Sequence, residues 1–369
     1  MDTKMSGFKK PSYGHCLEDF QPGQVYAHPW DVTVDDGLLG VFAASFQDAT
    51  PTFASKTYAQ ALGFRDRPLH PFLLLNLGLS FSVHDVSEQA IAHLAYIDVR
   101  FPEACHTGDT LTASSKVLSV KPTSKGDRGV VGVRTLLSNQ RGEIVCRFDR
   151  KALVRAGKVS GRPDNPWPPA TQPDAEDLPR LPPPLRTSFG LPERRGGFAG
   201  FFEDFAVGDV IVHGVGKTVG ESEHMQLTQL FRNSHPVHFD EVYSKANSFA
   251  KTRVVYGGLV LAWVLSLTSR DLTGNALWDV GLDDGAHPNG VVAGDTLYAA
   301  SKLLEKEETG PDSGVLTWRV VGTKNRSCEE LFATPGGLFT AELSKQDGRI
   351  AEKVVEITRK VLVRKRPRA

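Results

Sequence analysis

The sequence has no surplus of charge of either sign and little cysteine. Lys+Arg and Asp+Glu both number 43 among 369 residues, so the net charge is near zero. A protein that binds nucleic acid irrespective of its sequence needs a basic surplus, and we therefore expect no nucleic-acid partner. The four cysteines are scattered without a C-x-x-C pair or a metal-ligand spacing. That pattern favours reduced thiols in a cytoplasmic protein.

Long hydrophobic runs are also missing. The start, MDTKMSGFKKPSYGHC, contains no apolar core of the kind found in signal peptides. The longest apolar runs, PFLLLNLGLSF at 71–81 and GGLVLAWVLSL at 257–267, are too short to span a membrane. The chain also lacks the glycine-rich signatures G-x-x-x-x-G-K-[ST] and G-x-G-x-x-G. We expect no membrane partner and no nucleotide-binding fold.

Proline is concentrated in one central segment. Ten of the 23 prolines fall within residues 157–195. Proline at this density sustains neither a helix nor a central strand and favours an extended connector. The sequence therefore predicts an N-terminal unit at 1–156, a proline-rich linker at 157–195 and a C-terminal unit at 196–369.

The two units are similar to each other in sequence. Four stretches recur in the same order: LEDFQPGQVYAH at 17–28 and FEDFAVGDVIVH at 202–213, FQDATPTF at 46–53 and FRNSHPVH at 231–238, GDTL at 108–111 and at 294–297, RKALVR at 150–155 and RKVLVR at 359–364. The offset between the copies only grows along the chain, which indicates a duplication followed by insertions. The largest insertion falls between 297 and 359, around TKNRSCEELFATPGG.

Each unit shows the same order of predicted elements. A short strand near 24–33 or 209–218 precedes a helix, a polar loop and an apolar helix at 71–82 or 257–268. Runs rich in Val, Ile and Thr with period-two patterning follow, which is typical of strands. This order predicts an α+β fold in which an antiparallel sheet carries a helix on one face.

Three motifs in this order resemble the MaoC-like dehydratases, whose pattern is roughly D-x-N-P-x-H-x-D, then H-G-[ML], then G-D-x-[LI]. The C-terminal unit reads NSHPVHFD at 233–240, YGGL at 256–259 and GDTL at 294–297, and the N-terminal unit reads DATPTF at 48–53, HPF at 70–72 and GDTL at 108–111. Because the resemblance covers both units, it implies two tandem hotdog folds, each a sheet wrapped around one long helix.

The resemblance implies an activity and a partner. Members of the family hydrate a trans-enoyl-CoA or dehydrate the 3-hydroxyacyl-CoA. The order, length and linker look most like the subgroup of mesaconyl-CoA hydratases, also called β-methylmalyl-CoA dehydratases. We expect an acyl-CoA thioester as substrate, no metal or other cofactor, and a homo-oligomer that is a dimer of double hotdogs or larger. An (R)-specific enoyl-CoA hydratase for simple acyl chains, a non-catalytic acyl-CoA binder and a thioesterase remain alternatives.

The resemblance assigns the catalytic dyad with departures from the family pattern. His238 fills the position of the family histidine, and its copy in the N-terminal unit is Phe53, which cannot transfer a proton. Asn233 stands at the position of the family aspartate, while the N-terminal unit keeps Asp48. We expect one site in the C-terminal unit, with His238 as acid or base, Asn233 orienting water or the imidazole, and His235 as a second polar group. A site that Asp48 completes across the two hotdogs is the alternative.

Candidate substrate-binding residues lie around this loop. The first residues of the following helix offer unpaired N–H groups to the thioester oxygen, which makes Gly257 and Gly258 candidates beside Tyr256. Arginine grips carboxylates and phosphates, so we expect Arg232 and Arg253 to contact the CoA phosphate or a substrate carboxylate. Asp240 is expected to cap the helix after the loop.

Overall fold

The computed structural model describes residues 13–158, 170–186 and 200–367. Within them, ten strands form one antiparallel sheet in the order β1-β3-β4-β5-β2-β7-β10-β9-β8-β6. The strands are β1 (Val25–Thr33), β2 (Ala90–Arg100), β3 (Thr110–Pro122), β4 (Arg128–Asn139), β5 (Ile144–Arg155), β6 (Val210–Thr218), β7 (Ala276–Ala286), β8 (Thr296–Glu308), β9 (Ser313–Lys324) and β10 (Lys353–Arg364).

The helices lie between the first and second strands of each unit. They are α1 (Asp36–Phe46), α2 (Pro51–Ala54), α3 (Lys56–Ala61), α4 (Pro71–Phe81), α5 (Glu221–Leu230), α6 (Glu241–Asn247), α7 (Gly257–Leu267) and α8 (Ser269–Leu272). Every residue of α4 and most residues of α7 are buried, as expected for helices that are apolar on all sides. These two helices contact each other and the strands of their own units. The core of each unit is therefore one central helix enclosed by five strands.

The predicted α+β architecture of two tandem hotdogs is confirmed by this arrangement. The runs expected as strands coincide with β1, β3, β4 and β5 and with β6, β8, β9 and β10. The sequence reading did not identify β2 and β7, and these two strands join the units, with Tyr96 opposite Gly285 and Val99 opposite Leu282. β7 contains two glycines and three aspartates. Because both residue types are depleted in strands, the sequence of β7 does not indicate a strand.

The predicted insertion separates β9 from β10. Residues 325–352 connect these strands, whereas residues 140–143 suffice between β4 and β5. Of the predicted linker, residues 170–186 carry only a short 3-10 turn and no strand, and its Ala175 is buried against Leu136 and Ile144. Residues 159–169 and 187–195 of the linker lie outside the described residues.

All four cysteines are buried and free of disulfides. The central helices have 11 residues each, and within the described ranges no helix combines the length and apolar character needed to cross a bilayer.

Candidate active site

A cavity of about 780 Å³ lies between the two units. The N-terminal unit supplies one wall from α4, β2 and β5, and the C-terminal unit supplies the other from the loop 233–238 and the segments 254–260 and 287–291. Six of the residues predicted from sequence line this cavity: Asn233, His235, His238, Tyr256, Gly257 and Gly258. Asp48 does not line it, and neither do Arg232 and Arg253.

The loop that carries the histidines is held by local hydrogen bonds. The Oδ1 atom of Asn233 accepts the N–H of His235 at 3.0 Å, an Asx turn of the kind that asparagine favours. Pro236 then opens a 3-10 turn that ends at His238. Asp240 caps α6 by accepting the N–H of Tyr243 at 2.9 Å, as the sequence predicted. The loop is therefore built locally, and no described residue accepts a hydrogen bond from Nδ2 of Asn233.

The two histidines differ in which ring nitrogens are free. The Nδ1 atom of His235 accepts the N–H of Val237 at 3.2 Å, so in the neutral ring of His235 the proton is on Nε2. The Nδ1 atom of His238 lies 2.8 Å from the carbonyl oxygen of Val254. Because a carbonyl only accepts, this contact places the ring proton of His238 on Nδ1. The Nε2 atom of His238 is then an unprotonated acceptor, whereas Nδ1 of His235 is occupied and its Nε2 carries the ring proton.

The environment keeps both imidazoles neutral. Burial lowers the pKa of His238 to about 3, and the neighbouring His235 acts in the same direction. Burial likewise lowers the pKa of His235 to about 4. At neutral pH His238 is therefore in the form that can take a proton from water.

The N-terminus of α7 faces the same cavity and keeps free donors. Tyr256 precedes the helix without a side-chain cap, and no described residue accepts a hydrogen bond from the N–H groups of Gly257 or Gly258. Such groups, together with the helix dipole, favour a developing negative charge. The equivalent helix α4 has no such donors, because Pro71 has no N–H and the N–H of Phe72 is taken by the His70 side chain at 3.1 Å.

The position equivalent to the cavity in the N-terminal unit is filled and charged. Phe53, the copy of His238, packs on His70 with 4.6 Å between ring centroids and on Trp278 with 5.3 Å. Asp48 lies 3.4 Å from Nε2 of His70, with both side chains 4% exposed. Burial raises the pKa of Asp48, but the attractions of His70 and Arg359 outweigh it and lower the pKa to about 2. We call this cluster of Asp48, Phe53, His70 and Arg359 the silent site.

The two predicted arginines lie outside the cavity wall. Arg253 forms ion pairs with Glu221 and with Glu241, so its charge is already compensated. Arg232 is exposed and has a left-handed backbone with φ of 68°. Their predicted contacts with CoA stay predictions.

Several polar residues that line the cavity were not identified from sequence, among them His93 and Tyr96 on β2, Arg150 on β5, and His287. The Tyr96 hydroxyl lies 3.1 Å from Nε2 of His287, whose Nδ1 is 3.1 Å from the carbonyl of Val354. The repeated RKALVR motif was the available signal for Arg150. The motif alone does not show that Arg150 lines the cavity, because this position depends on the pairing of β2 with β5.

Gly258 is required by the close approach of the two central helices. A Cβ atom at Gly258 would lie 2.2 Å from Oδ1 of Asn76 on α4 and 2.6 Å from Cζ of Tyr256. We expect Gly258→Ala to lower the free energy of unfolding by about 1–3 kcal/mol through overpacking. Gly40→Ala on α1 is the matched control, because nothing lies within 4 Å of that added Cβ and alanine favours a helix by about 0.5–1 kcal/mol. Urea denaturation of both variants checks this, and equal stability of the two would contradict the clash.

The fold and the site together define a class. Two hotdogs joined in one sheet, with a histidine loop facing the free N-terminus of a central helix, make this chain a double hotdog of the MaoC-like dehydratase class. Among solved structures, a MaoC domain protein dehydratase of Chloroflexus aurantiacus superposes with a TM-score of 0.79 at 30% identity, covering 96% of this chain and 98% of that one. A Mycobacterium tuberculosis protein with a double hotdog fold superposes with a TM-score of 0.69 at 20% identity, covering 95% and 98%.

Sequence comparison narrows the class to a family. The mesaconyl-CoA hydratase family model matches residues 5–187 and 193–335. A β-methylmalyl-CoA dehydratase of Chloroflexus aurantiacus is 32% identical over 329 residues, covering 87% of this chain and 91% of that protein. A mesaconyl-CoA hydratase of Cereibacter sphaeroides is 35% identical over 329 residues, covering 86% and 91%. The chain belongs to the mesaconyl-CoA hydratase family.

Proposed function

We propose that this chain reversibly adds water to an enoyl-CoA thioester, with mesaconyl-CoA and β-methylmalyl-CoA as the substrate pair. The proposal is supported most directly by the position of a base and of two hydrogen-bond donors in one cavity. The free Nε2 atom of His238 and the unpaired N–H groups of Gly257 and Gly258 line the same cavity. The names of the two curated relatives support this substrate pair.

The hydration uses these groups in a defined order. The thioester oxygen accepts hydrogen bonds from the N–H groups of Gly257 and Gly258, which stabilise the enolate charge as it develops. His238 takes a proton from water through Nε2 while the water oxygen bonds to the β carbon of the substrate. The imidazolium of His238 then gives that proton to the α carbon, so the sum is the addition of one water. Asn233 cannot act as a base, and we assign it to holding the water through its free Nδ2.

This reaction consists of proton transfers and charge stabilisation only. We therefore propose that the chain needs no metal or redox cofactor beyond the CoA that the substrate carries. The homo-oligomer and the cytoplasmic location expected from the sequence also stay predictions.

Absorbance of the enoyl thioester tests the proposed activity. Mesaconyl-CoA incubated with the purified chain should lose its enoyl absorbance, release no free thiol and yield β-methylmalyl-CoA on chromatography. Release of free thiol would instead identify a thioesterase. Binding of the thioester without loss of absorbance would identify an acyl-CoA binder, and faster turnover of crotonyl-CoA than of mesaconyl-CoA would favour the hydratase of simple acyl chains.

A further inference from the structure

Arg150 is a buried cation in the cavity that lacks a carboxylate partner. It is 4% exposed and donates to Oγ of Ser82 at 2.8 Å and to Oγ of Ser87 at 3.3 Å. Its Nε atom has no hydrogen-bond partner, and no carboxylate of the described residues forms an ion pair with it. A buried guanidinium in this condition is costly unless an anion compensates it.

The internal repeat shows how the same arginine is compensated elsewhere in the chain. Arg359 is the copy of Arg150 in the RKVLVR motif, and Thr268 contacts it at 3.0 Å just as Ser82 contacts Arg150. Arg359 forms a two-pronged ion pair with Asp279, at 2.6 and 3.0 Å. Arg359 and Asp279 are 0% and 1% exposed. In the silent site the arginine is thus neutralised by the protein itself.

The strand pairing identifies what replaces Asp279 beside Arg150. Asp279 on β7 is opposite Val361 on β10, and His93 on β2 is opposite Ala152 on β5. Ala152 and Val361 are the same position of the repeated motif, so His93 stands where Asp279 stands in the other unit. His93 is neutral, because burial, and then the nearby His287 and Arg150, hold its pKa well below the ordinary value.

Two further differences between the units change the surroundings of Arg150 relative to those of Arg359. Asp48, which attracts Arg359, has Asn233 as its counterpart, so a second carboxylate is also replaced by a neutral side chain. The ring of Phe72 covers Arg359 with 4.9 Å between the guanidinium carbon and the ring centroid. The position equivalent to Phe72 is Gly258, which has no side chain. Relative to the silent site, the cavity has therefore lost two negative charges and one aromatic cover but has kept the arginine.

We infer that Arg150 binds the distal carboxylate of the substrate and thereby selects the CoA monothioester of a short diacid over a neutral acyl thioester. This inference rests on the proposed function and assigns its specificity. The substrate carboxylate takes the place that Asp279 occupies beside Arg359 and forms charge-assisted hydrogen bonds with the guanidinium. A neutral acyl chain would leave the cation uncompensated in the cavity. Asn233 fits this role of Arg150, because an aspartate at position 233 would carry a negative charge that repels the substrate carboxylate next to the reacting carbon.

A pair of substrates isolates the role of Arg150. Tiglyl-CoA carries a methyl group where mesaconyl-CoA carries its distal carboxylate and is otherwise the same. We expect Arg150→Gln to lower the ratio of kcat/KM for mesaconyl-CoA to kcat/KM for tiglyl-CoA on the order of 10²-fold. Arg155→Gln is the matched control, because Arg155 lines the cavity but is exposed. Its substitution should leave the ratio unchanged whatever it does to CoA binding.

A second variant keeps the inference testable if Arg150→Gln does not fold. His93→Asp creates beside Arg150 the ion pair that the other unit already contains, and it should lower the same ratio by a comparable factor. If either folded variant lowers kcat/KM equally for both substrates, Arg150 does not bind the distal carboxylate. The proposed hydratase function would not be affected by that result.

Binding to the unmodified chain separates this inference from the proposed reaction. Succinyl-CoA and butyryl-CoA are saturated, so neither is hydrated, and they differ in the distal carboxylate. By titration calorimetry we expect succinyl-CoA to bind at least tenfold more tightly, and the difference to vanish in His93→Asp. Equal affinities for the unmodified chain would overturn the inference whether or not the chain hydrates any thioester.

Discussion

His238→Ala is expected to lower kcat for mesaconyl-CoA hydration on the order of 10⁴-fold, the upper end for loss of a general acid–base group. His238 is the residue of the loop whose imidazole has a free unprotonated nitrogen, since its Nδ1 is hydrogen-bonded to Val254, whereas the unprotonated Nδ1 of His235 already accepts the N–H of Val237. Asn233 cannot take over, because an amide does not accept a proton near neutral pH. Steady-state absorbance kinetics at saturating mesaconyl-CoA measure the loss.

Asp48→Asn is the matched comparison for His238→Ala. Asp48 belongs to the silent site, where Phe53 has replaced the histidine partner, and it does not line the cavity. We expect the rate per folded chain to fall by less than about tenfold. A loss as large as that of His238→Ala, in protein that still folds, would show that the site spans both hotdogs and that Asp48 takes part in the chemistry.

The largest expected effect on stability comes from Asp279→Asn. The substitution leaves Arg359 buried without the partner that now accepts two hydrogen bonds from it at 2.6 and 3.0 Å. Removing one member of a buried ion pair typically lowers the free energy of unfolding by about 3–5 kcal/mol. Urea denaturation followed by circular dichroism measures this loss.

Two further variants test whether the loss of stability in Asp279→Asn comes from the uncompensated charge of Arg359. Asp66→Asn removes a carboxylate from the exposed pair with Lys56, whose side chains are 42% and 61% exposed, and should leave stability nearly unchanged. The double substitution Asp279→Leu with Arg359→Met removes both members of the pair and should be more stable than Asp279→Asn, because no buried guanidinium is left without its carboxylate partner. If Asp279→Asn were as stable as Asp66→Asn, the ion pair would not neutralise Arg359 in the way that the comparison with Arg150 requires.

The sequence predicted those parts of the fold that are encoded locally. The apolar runs at 71–81 and 257–267 became the central helices because a helix that is hydrophobic on all sides must be buried. The loop at 233–238 was also predictable, because Asn233, Pro236 and Asp240 form turns and caps from their own neighbourhood. The hydrogen bond between Nδ1 of His238 and the carbonyl of Val254 then holds this loop beside the start of α7.

The residues that the sequence did not reveal depend on long-range pairing. Arg150 enters the cavity because β5 pairs with β2, and His93 stands beside it because of the register of the same pair. A one-residue change of register between β2 and β5 would place the two side chains on opposite faces of the sheet. The predicted arginines, Arg232 and Arg253, were chosen for their closeness in sequence to the loop, yet Arg253 is engaged by Glu221 and Glu241 instead.

Binding stoichiometry tests the central claim, that each chain holds one productive site, most directly. The cavity has a free base and free helix N–H groups, whereas Phe53, Pro71 and the His70 cap remove both features from the silent site. Titration calorimetry of the unmodified chain with succinyl-CoA, at a chain concentration well above the dissociation constant, should give one equivalent bound per chain. Two equivalents of equal affinity per chain would contradict the account, because the silent site would then bind the thioester as the cavity does.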